Sequence, residues 1–131
     1  MTERVASCSC GQLRVVAAGE PLRVSLCHCL ACQRRTGSVF GALARFPAQA
    51  VQAFGTATAY VRTADSGAKL TFHFCPHCGS TVYCQHEARP EVVAIPVGAF
   101  AEPAFPAPAF SVYESRMHAW VGVPGSAERT Q

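Results

Sequence analysis

Several features that support common chemistries are missing or scarce in this 131-residue chain. Neither G-x-G-x-x-G nor G-x-x-x-x-G-K occurs, so the glycine loops that hold nucleotide phosphates are absent. Asp65 is the only aspartate, and it lies in a turn-like Ala-Asp-Ser-Gly segment, which argues against a Ser-His-Asp triad. The longest apolar stretch, residues 92–101, is interrupted by Pro96 and is far too short to cross a bilayer. We therefore expect neither nucleotide chemistry nor a membrane span.

Charge and targeting signals are also sparse. Only 15% of the residues are charged, and Lys69 is the only lysine among the 11 cations. Residues 1–4 are polar and run directly into a cysteine cluster, so no signal peptide is visible and we expect a cytoplasmic protein. The hydrophobic content of 50% is typical of a folded chain. The length suits one domain over residues 1–131, with its core in 7–120 and a flexible tail over 121–131.

Cysteine, by contrast, is abundant and clustered. Cysteines one residue apart cannot easily bridge each other, although they chelate well, so the spacing favours metal over disulfides. Seven of the eight fall into three motifs, and Cys84 stands alone. The motifs are C-x-C at Cys8 and Cys10, C-x-C-x-x-C at Cys27, Cys29 and Cys32, and C-x-x-C at Cys75 and Cys78.

The motifs divide into one group of four thiols and one group of three. Cys75-Pro-His-Cys78-Gly has the form of a zinc knuckle, in which glycine permits the tight turn after the second sulfur. Pairing it with Cys8 and Cys10 closes a tetrahedral site of four thiolates, and the long loop between them costs little extra because loop entropy grows logarithmically. We therefore predict two zinc ions, one of them enclosed by this set.

The group of three leaves its fourth ligand open. Cys84, His28 or His73 could complete the coordination and make the second site structural, or the position could stay free for a substrate. Spacing alone does not choose between these readings. A lone cysteine on an apolar strand is more often a small buried hydrophobe than a ligand, which favours a core role for Cys84.

Zinc binding also changes the charge of the protein. Metal-bound thiols are deprotonated, so the two zinc sites contribute about −2 and −1 and bring the formal +3 near zero. Nucleic-acid binding is therefore not expected. Arg34 and Arg35, just beyond the three-cysteine motif, could hold a substrate carboxylate, as could Arg45 or Arg116.

Short alternating runs separated by glycine and proline predict an antiparallel all-β fold. Helical turns are expected only at Leu30–Thr36, ending at Gly37, and at Pro47–Phe54. The proline-rich segment 102–109 is expected to be a surface connection. The predicted strands are residues 12–17, 23–27, 39–46, 58–62, 69–75, 81–85, 92–97 and 110–114.

Four segments together resemble the glutathione-dependent formaldehyde-activating (GFA) family. They are C-x-C-G, C-H-C-x-x-C followed by Arg-Arg-Thr-Gly, F-C-P-H-C-G-S, and Val112-Tyr-Glu-Ser-Arg116 with Trp120. The similarity covers residues 7–120.

The resemblance implies a zinc-stapled β-tent and carbon–sulfur lyase chemistry, which joins or cleaves a small glutathione-like thiol and an aldehyde. It assigns a structural zinc to Cys8, Cys10, Cys75 and Cys78. It assigns a catalytic zinc to Cys27, Cys29 and Cys32, which favours the open site. The alternative is a non-catalytic zinc module that binds protein or nucleic acid, for which a basic, aromatic-rich surface would be expected.

Overall fold

The computed structural model describes residues 2–131. Strands account for 44% of the residues and helices for 13%, which confirms the prediction of an all-β fold with short helical turns. The helix α1 (Leu30–Thr36) has the predicted bounds and ends at Gly37, which adopts a left-handed φ of 73°. No helix among the described residues is long and apolar enough to cross a membrane. The strands are β1 (Glu3–Ser7), β2 (Arg14–Ala18), β3 (Arg23–Cys27), β4 (Gly41–Pro47), β5 (Val51–Phe54), β6 (Thr58–Thr63), β7 (Lys69–Phe74), β8 (Thr81–His86), β9 (Arg89–Pro96), β10 (Phe110–Val112) and β11 (Glu128–Arg129).

The strands form two sheets. The smaller sheet has the order β1-β2-β5, and the larger has the order β11-β10-β3-β4-β9-β8-β7-β6. Most neighbours are antiparallel, as the alternating sequence pattern predicts. One part of the larger sheet departs from that pattern, because β10 runs parallel to both β3 and β11. This pairing brings residues 110–112 beside the end of β3, where the three-cysteine motif begins.

Buried hydrophobic clusters lie on both faces of the larger sheet. Successive residues of a strand point to opposite faces, so Ala44 and Phe46 of β4 enter the main core while Leu43 faces a smaller cluster. The smaller cluster also contains Phe72 and Cys84, which are opposite each other on β7 and β8. Helix α1 lies over this second face, where it packs against β4. The candidate site is built on that face.

Three strands were not predicted. Residues 47–54 were expected to be helical, but only Ala48–Ala50 form a turn of 3-10 helix and Val51–Phe54 pair with β2. Alanine and glutamine favour a helix locally, and the pairing with β2 overrides that preference. Strand β1 buries little besides Ala6, so it lacks a clear alternating pattern.

The C-terminal residues form the third unexpected strand. Residues 121–131 were expected to be a flexible tail, whereas Glu128–Arg129 pair with β10 and Arg129 contacts the Glu114 carboxylate at 2.9 Å. A two-residue strand with exposed side chains leaves no periodic signal in the sequence. The proline-rich segment 102–109 forms no strand, as predicted, although its Phe105 packs in the main core.

Candidate metal centres

The four-cysteine group is brought together from two loops that are 65 residues apart. The Sγ atoms of Cys8, Cys10, Cys75 and Cys78 all lie within 4.8 Å of one another. Cys10 Sγ is 3.6 Å from Cys8 Sγ and 3.7 Å from Cys75 Sγ. Tetrahedral zinc with Zn–S bonds of about 2.3 Å separates its sulfurs by about 3.8 Å. The set therefore fits a zinc ion in both donor chemistry and spacing.

Hydrogen bonds favour the thiolate form of two of these sulfurs, those of Cys75 and Cys78. The amide and then the hydroxyl of Ser80 lower the pKa of Cys78 to about 5. Burial tends to raise the pKa of Cys75, but hydrogen bonds, the first of them from Gln12, outweigh it and lower that pKa. The backbone amide of Gln12 tends to lower the pKa of Cys10, but the hydrogen bond with Cys8, followed by burial, raises it to about 11. A metal at this site would therefore meet two thiols, Cys75 and Cys78, that are disposed to lose their protons, and would have to displace the proton of Cys10.

Gln12 is a supporting residue that the sequence did not single out. Its Nε2 donates to Cys75 Sγ at 3.0 Å and to the Thr56 carbonyl at 2.7 Å, while its Oε1 accepts from the Thr56 amide. One side chain thus joins the metal site to the loop between β5 and β6. Its partners are more than 40 residues away in the chain, so nothing local in the sequence marks it.

The three-cysteine group lies at the junction of β3 and α1. The Sγ atoms of Cys27, Cys29 and Cys32 also lie within 4.8 Å of one another. Cys29 is the residue that caps the start of α1, and its sulfur accepts a hydrogen bond from the Cys32 amide at 3.3 Å. The short helix therefore holds two of the three sulfurs at a fixed separation.

The candidate fourth ligands do not join this group. Among residues 2–131, no further Cys, His, Asp or Glu lies close enough to share the site. Cys84 is in the smaller core cluster, which agrees with the core role favoured from sequence. His73 stacks on Tyr83 and contacts Gln85, and His28 contacts Ser111. The group of three fits a metal that keeps one position for another ligand.

The thiols of this group differ in acidity. The pKa of Cys32 is lowered to about 5, first because the Cys27 thiol donates to its sulfur and further because of Cys29 and the guanidinium of Arg35. The same hydrogen bond, followed by burial, raises the pKa of Cys27. Binding of one metal by all three sulfurs at neutral pH must therefore release protons.

Glycine at the start of β4 lets Arg35 approach the cysteines. A Cβ at Gly41 would lie 3.0 Å from Arg35 Nη2 and 3.7 Å from Cys32 Sγ. The Arg35 guanidinium and the Cys32 sulfur therefore both lie in the space that a side chain at position 41 would fill. Arg35 was a predicted substrate-binding residue, and its position beside the sulfurs is compatible with that role.

A cavity of about 540 Å³ adjoins this helix, between α1 and strands β6 and β7. Arg34 and Arg35 line it, together with Arg62, which the sequence reasoning did not identify. The third predicted arginine, Arg116, is exposed and is not among the lining residues. Arg45 lies along β4 instead and donates to Ser25 at 2.8 Å.

Hydrogen bonds between the side chains of His28, Ser111 and Glu114 connect the three-cysteine loop to β10 and the turn after it. His28 is fully buried, and its Nε2 is 2.9 Å from Ser111 Oγ, which donates to Glu114 Oε2 at 2.6 Å. Since the serine proton goes to Glu114, Ser111 accepts from His28. Burial lowers the pKa of His28, and Arg129, followed by Ser111, lowers the pKa of Glu114. A neutral imidazole and an ionised carboxylate therefore share one serine.

Backbone contacts complete this support. The His28 amide donates to the Val112 carbonyl at 3.1 Å, and its carbonyl accepts from Gln33 Nε2 at 2.9 Å. The residue between Cys27 and Cys29 is thus held by β10, by α1 and by its own ring. Sequence reasoning considered His28 only as a metal ligand, because Ser111 lies 83 residues away.

Ser111→Ala is expected to lower the free energy of unfolding by about 1–3 kcal/mol, because it leaves buried groups of His28 and Glu114 without their partner. Ser115→Ala changes an exposed serine nearby and is expected to cost less than about 0.5 kcal/mol. Denaturant unfolding of the zinc-loaded variants measures both. Equal stabilities would show that the hydroxyl does not support the loop.

Comparison with known proteins identifies the family. The model of the glutathione-dependent formaldehyde-activating enzyme family matches residues 3–116. The chain belongs to this family. GFA membership confirms the resemblance drawn from the cysteine motifs.

Structural comparison supports the same fold. A crystal structure of a Rhodobacter sphaeroides protein matches with a TM-score of 0.56 and 22% sequence identity, covering 72% of this chain and 85% of that chain. At that identity the match shows a shared fold. Among curated proteins, none matches this GFA chain.

Proposed function

We propose that this GFA protein is a carbon–sulfur lyase that forms or cleaves adducts between a small glutathione-like thiol and an aldehyde. In this proposal Cys8, Cys10, Cys75 and Cys78 hold a structural zinc, and Cys27, Cys29 and Cys32 hold a catalytic zinc. The observation that carries the proposal is the unequal division of sulfur. Four sulfurs converge in one group, whereas the other has three and no further Cys, His, Asp or Glu of residues 2–131 within reach.

The reaction balances without a redox partner. In the forward direction the thiol sulfur bonds to the aldehyde carbon, and the thiol proton passes to the carbonyl oxygen to give a hydroxy sulfide. Cleavage is the reverse. When bound, zinc would supply a coordination position for a sulfur and stabilise its thiolate form. Three thiolates make such a site a weak Lewis acid, so sulfur chemistry suits it better than activation of water.

The free energy gained by ionising the thiol is small, so the protein's own residues must contribute most of the rate acceleration by orienting the reactants. A free thiol with a pKa near 8.5 is only about 3% ionised at neutral pH, so full ionisation is worth roughly 2 kcal/mol. A metal-held sulfur loses part of that gain because it is less nucleophilic. Orientation of the two reactants must supply most of any acceleration. In this proposal Arg34 and Arg35, which line the cavity next to α1, orient an anionic substrate.

Cys29→Ala is expected to weaken thiol binding about 100-fold while the protein stays folded, because two ligands cannot hold the second metal firmly. Titration of cobalt-substituted protein with glutathione, followed by its absorption spectrum, measures thiol binding. Adduct formation with formaldehyde, followed by NMR, measures turnover. Cys84→Ala, which changes a cysteine outside both groups, is the control and is expected to bind the thiol normally.

Two results would contradict the proposal. Collapse of the Cys29→Ala fold would make the second site structural. Thiol affinity unchanged by this substitution would place binding elsewhere, and a salt-sensitive complex with nucleic acid would then favour the non-catalytic module.

A further inference from the structure

The cavity beside α1 combines aromatic rings with guanidinium groups. Its walls include Tyr60, Phe72 and Phe74 from β6 and β7, and Arg34, Arg35 and Arg62. A volume of about 540 Å³ is within the range of small-molecule sites. These residues come from one helix and two strands, so the lining is built by the fold and not by a single mobile loop.

The positive charge in this cavity has no carboxylate partner among residues 2–131, although the Cys32 sulfur lies near the Arg35 guanidinium. Among the described residues, none of the three arginines has a carboxylate within 4.0 Å. Two nitrogens of Arg35, Nε and Nη2, are buried and have no hydrogen-bond acceptor. Leaving buried donors of a charged group unpaired is costly. An anion with two oxygens, such as a carboxylate, matches the paired donors that a guanidinium offers.

The rings indicate what the anion is attached to. Arg35 and Arg62 both lie over Phe72, with their Cζ atoms 5.4 and 5.7 Å from the ring centroid. Guanidiniums that stack on a ring keep their in-plane N–H groups for other acceptors. Tyr60, at 59% exposure, is a large aromatic surface in the same wall. Such a wall favours a flat, unsaturated group over a saturated chain.

We propose that this cavity binds an aromatic carboxylate, as the anionic part of the substrate that reacts at the three-cysteine group. The link to that group is Arg35, which lines the cavity and whose Nη2 shares the space above Gly41 with Cys32 Sγ. The assignment to a substrate rests on the proposed function. The prediction that the cavity binds an aromatic carboxylate is independent of the proposed function, because no cysteine lines the cavity.

Benzoate is the probe, titrated into zinc-loaded protein without thiol and followed by calorimetry and NMR shifts. Benzamide lacks the charge and cyclohexanecarboxylate lacks the ring, so each is expected to bind about tenfold more weakly than benzoate. Arg62→Gln is expected to weaken benzoate about tenfold, whereas Arg89→Gln, at an exposed position outside the lining, is expected to leave it unchanged. Thermal unfolding checks that both variants are folded.

Tyr60→Leu provides a second test, because an exposed residue can be changed with little effect on folding. It is expected to weaken benzoate about fivefold and cyclohexanecarboxylate hardly at all. Equal affinity for the two acids, or benzoate binding unaffected by Arg62→Gln, would overturn the inference even if glutathione binds normally. Benzoate binding that persists in Cys29→Ala protein, with no thiol binding in the unmodified protein, would instead refute only the lyase proposal and the substrate role.

Discussion

Cys75→Ala is expected to leave the protein unfolded in zinc-containing buffer, whereas Cys84→Ala is expected to leave it folded. Both cysteines are buried, with 0% and 8% of their surface exposed, so burial alone predicts similar effects. They differ in that Cys75 belongs to the four-sulfur group and Cys84 does not. A structural zinc contributes on the order of 10 to 16 kcal/mol in model peptides, comparable with the whole stability of a small domain.

The sheet topology explains why loss of the four-cysteine site is expected to unfold the protein. The four sulfurs connect the turn after β1 to the turn between β7 and β8, and thereby join the smaller sheet to the larger one. Besides pairing with β2, strand β1 contacts the 3-10 helix Val97–Phe100 and buries Ala6 in the main core, and the metal site adds a direct link between the two turns. Without the metal, the four thiols, two of them buried, would also face each other with unfavourable like charges once ionised.

Circular dichroism and metal analysis measure the outcome. The unmodified protein is expected to hold two zinc ions, Cys84→Ala two, and Cys29→Ala one in a folded chain. Prolonged treatment with a strong chelator is expected to reproduce the unfolding caused by Cys75→Ala. A native spectrum for the Cys75 variant, or for the fully chelated protein, would show that the four-cysteine group does not hold the fold together.

Local patterns in the sequence were sufficient for the parts of the fold that local forces determine. Helix α1 was predicted with its correct bounds because Gly37 marks its end. Strand β3 was predicted because polar and apolar residues alternate from Arg23 to Leu26. The cysteine spacing correctly separated the sulfurs into four and three. In each case the signal lies within a few residues of the feature that it predicts.

The parts that were missed depend on partners far away in the chain. Strand β5 exists because β2 pairs with it, although the alanines and glutamines of segment 47–54 favour a helix. Arg62 reaches the cavity only because β6 pairs with β7 beside α1. The contact between His28 and Ser111 depends on the parallel pairing of β3 with β10, which no short pattern predicts. A single sequence records these side chains but not their neighbours.

Gly55→Ala is expected to lower the free energy of unfolding by about 3 kcal/mol or more, because two penalties combine. Gly55 has a φ of 98°, which alanine adopts only with strain, and its Cβ would lie 2.0 Å from the Gln12 carbonyl oxygen. A backbone atom cannot swing aside as a flexible side chain can, so residues 12 and 55 must move apart. Gly67, with a φ of 90° and no atom within 4 Å of its Cβ position, carries only the first penalty.

Gly67→Ala is therefore the matched control, with an expected cost of about 1 kcal/mol. Displacement of Gln12 also disturbs the donor to Cys75 Sγ, so Gly55→Ala alone is expected to reduce zinc affinity, by about tenfold in a competition with a chelator. Denaturant unfolding and zinc competition on both variants separate the two effects. If the two variants lost the same stability and both kept their zinc, the close approach of Gly55 to Gln12 would not support the metal site, and strain at φ would account for the whole effect.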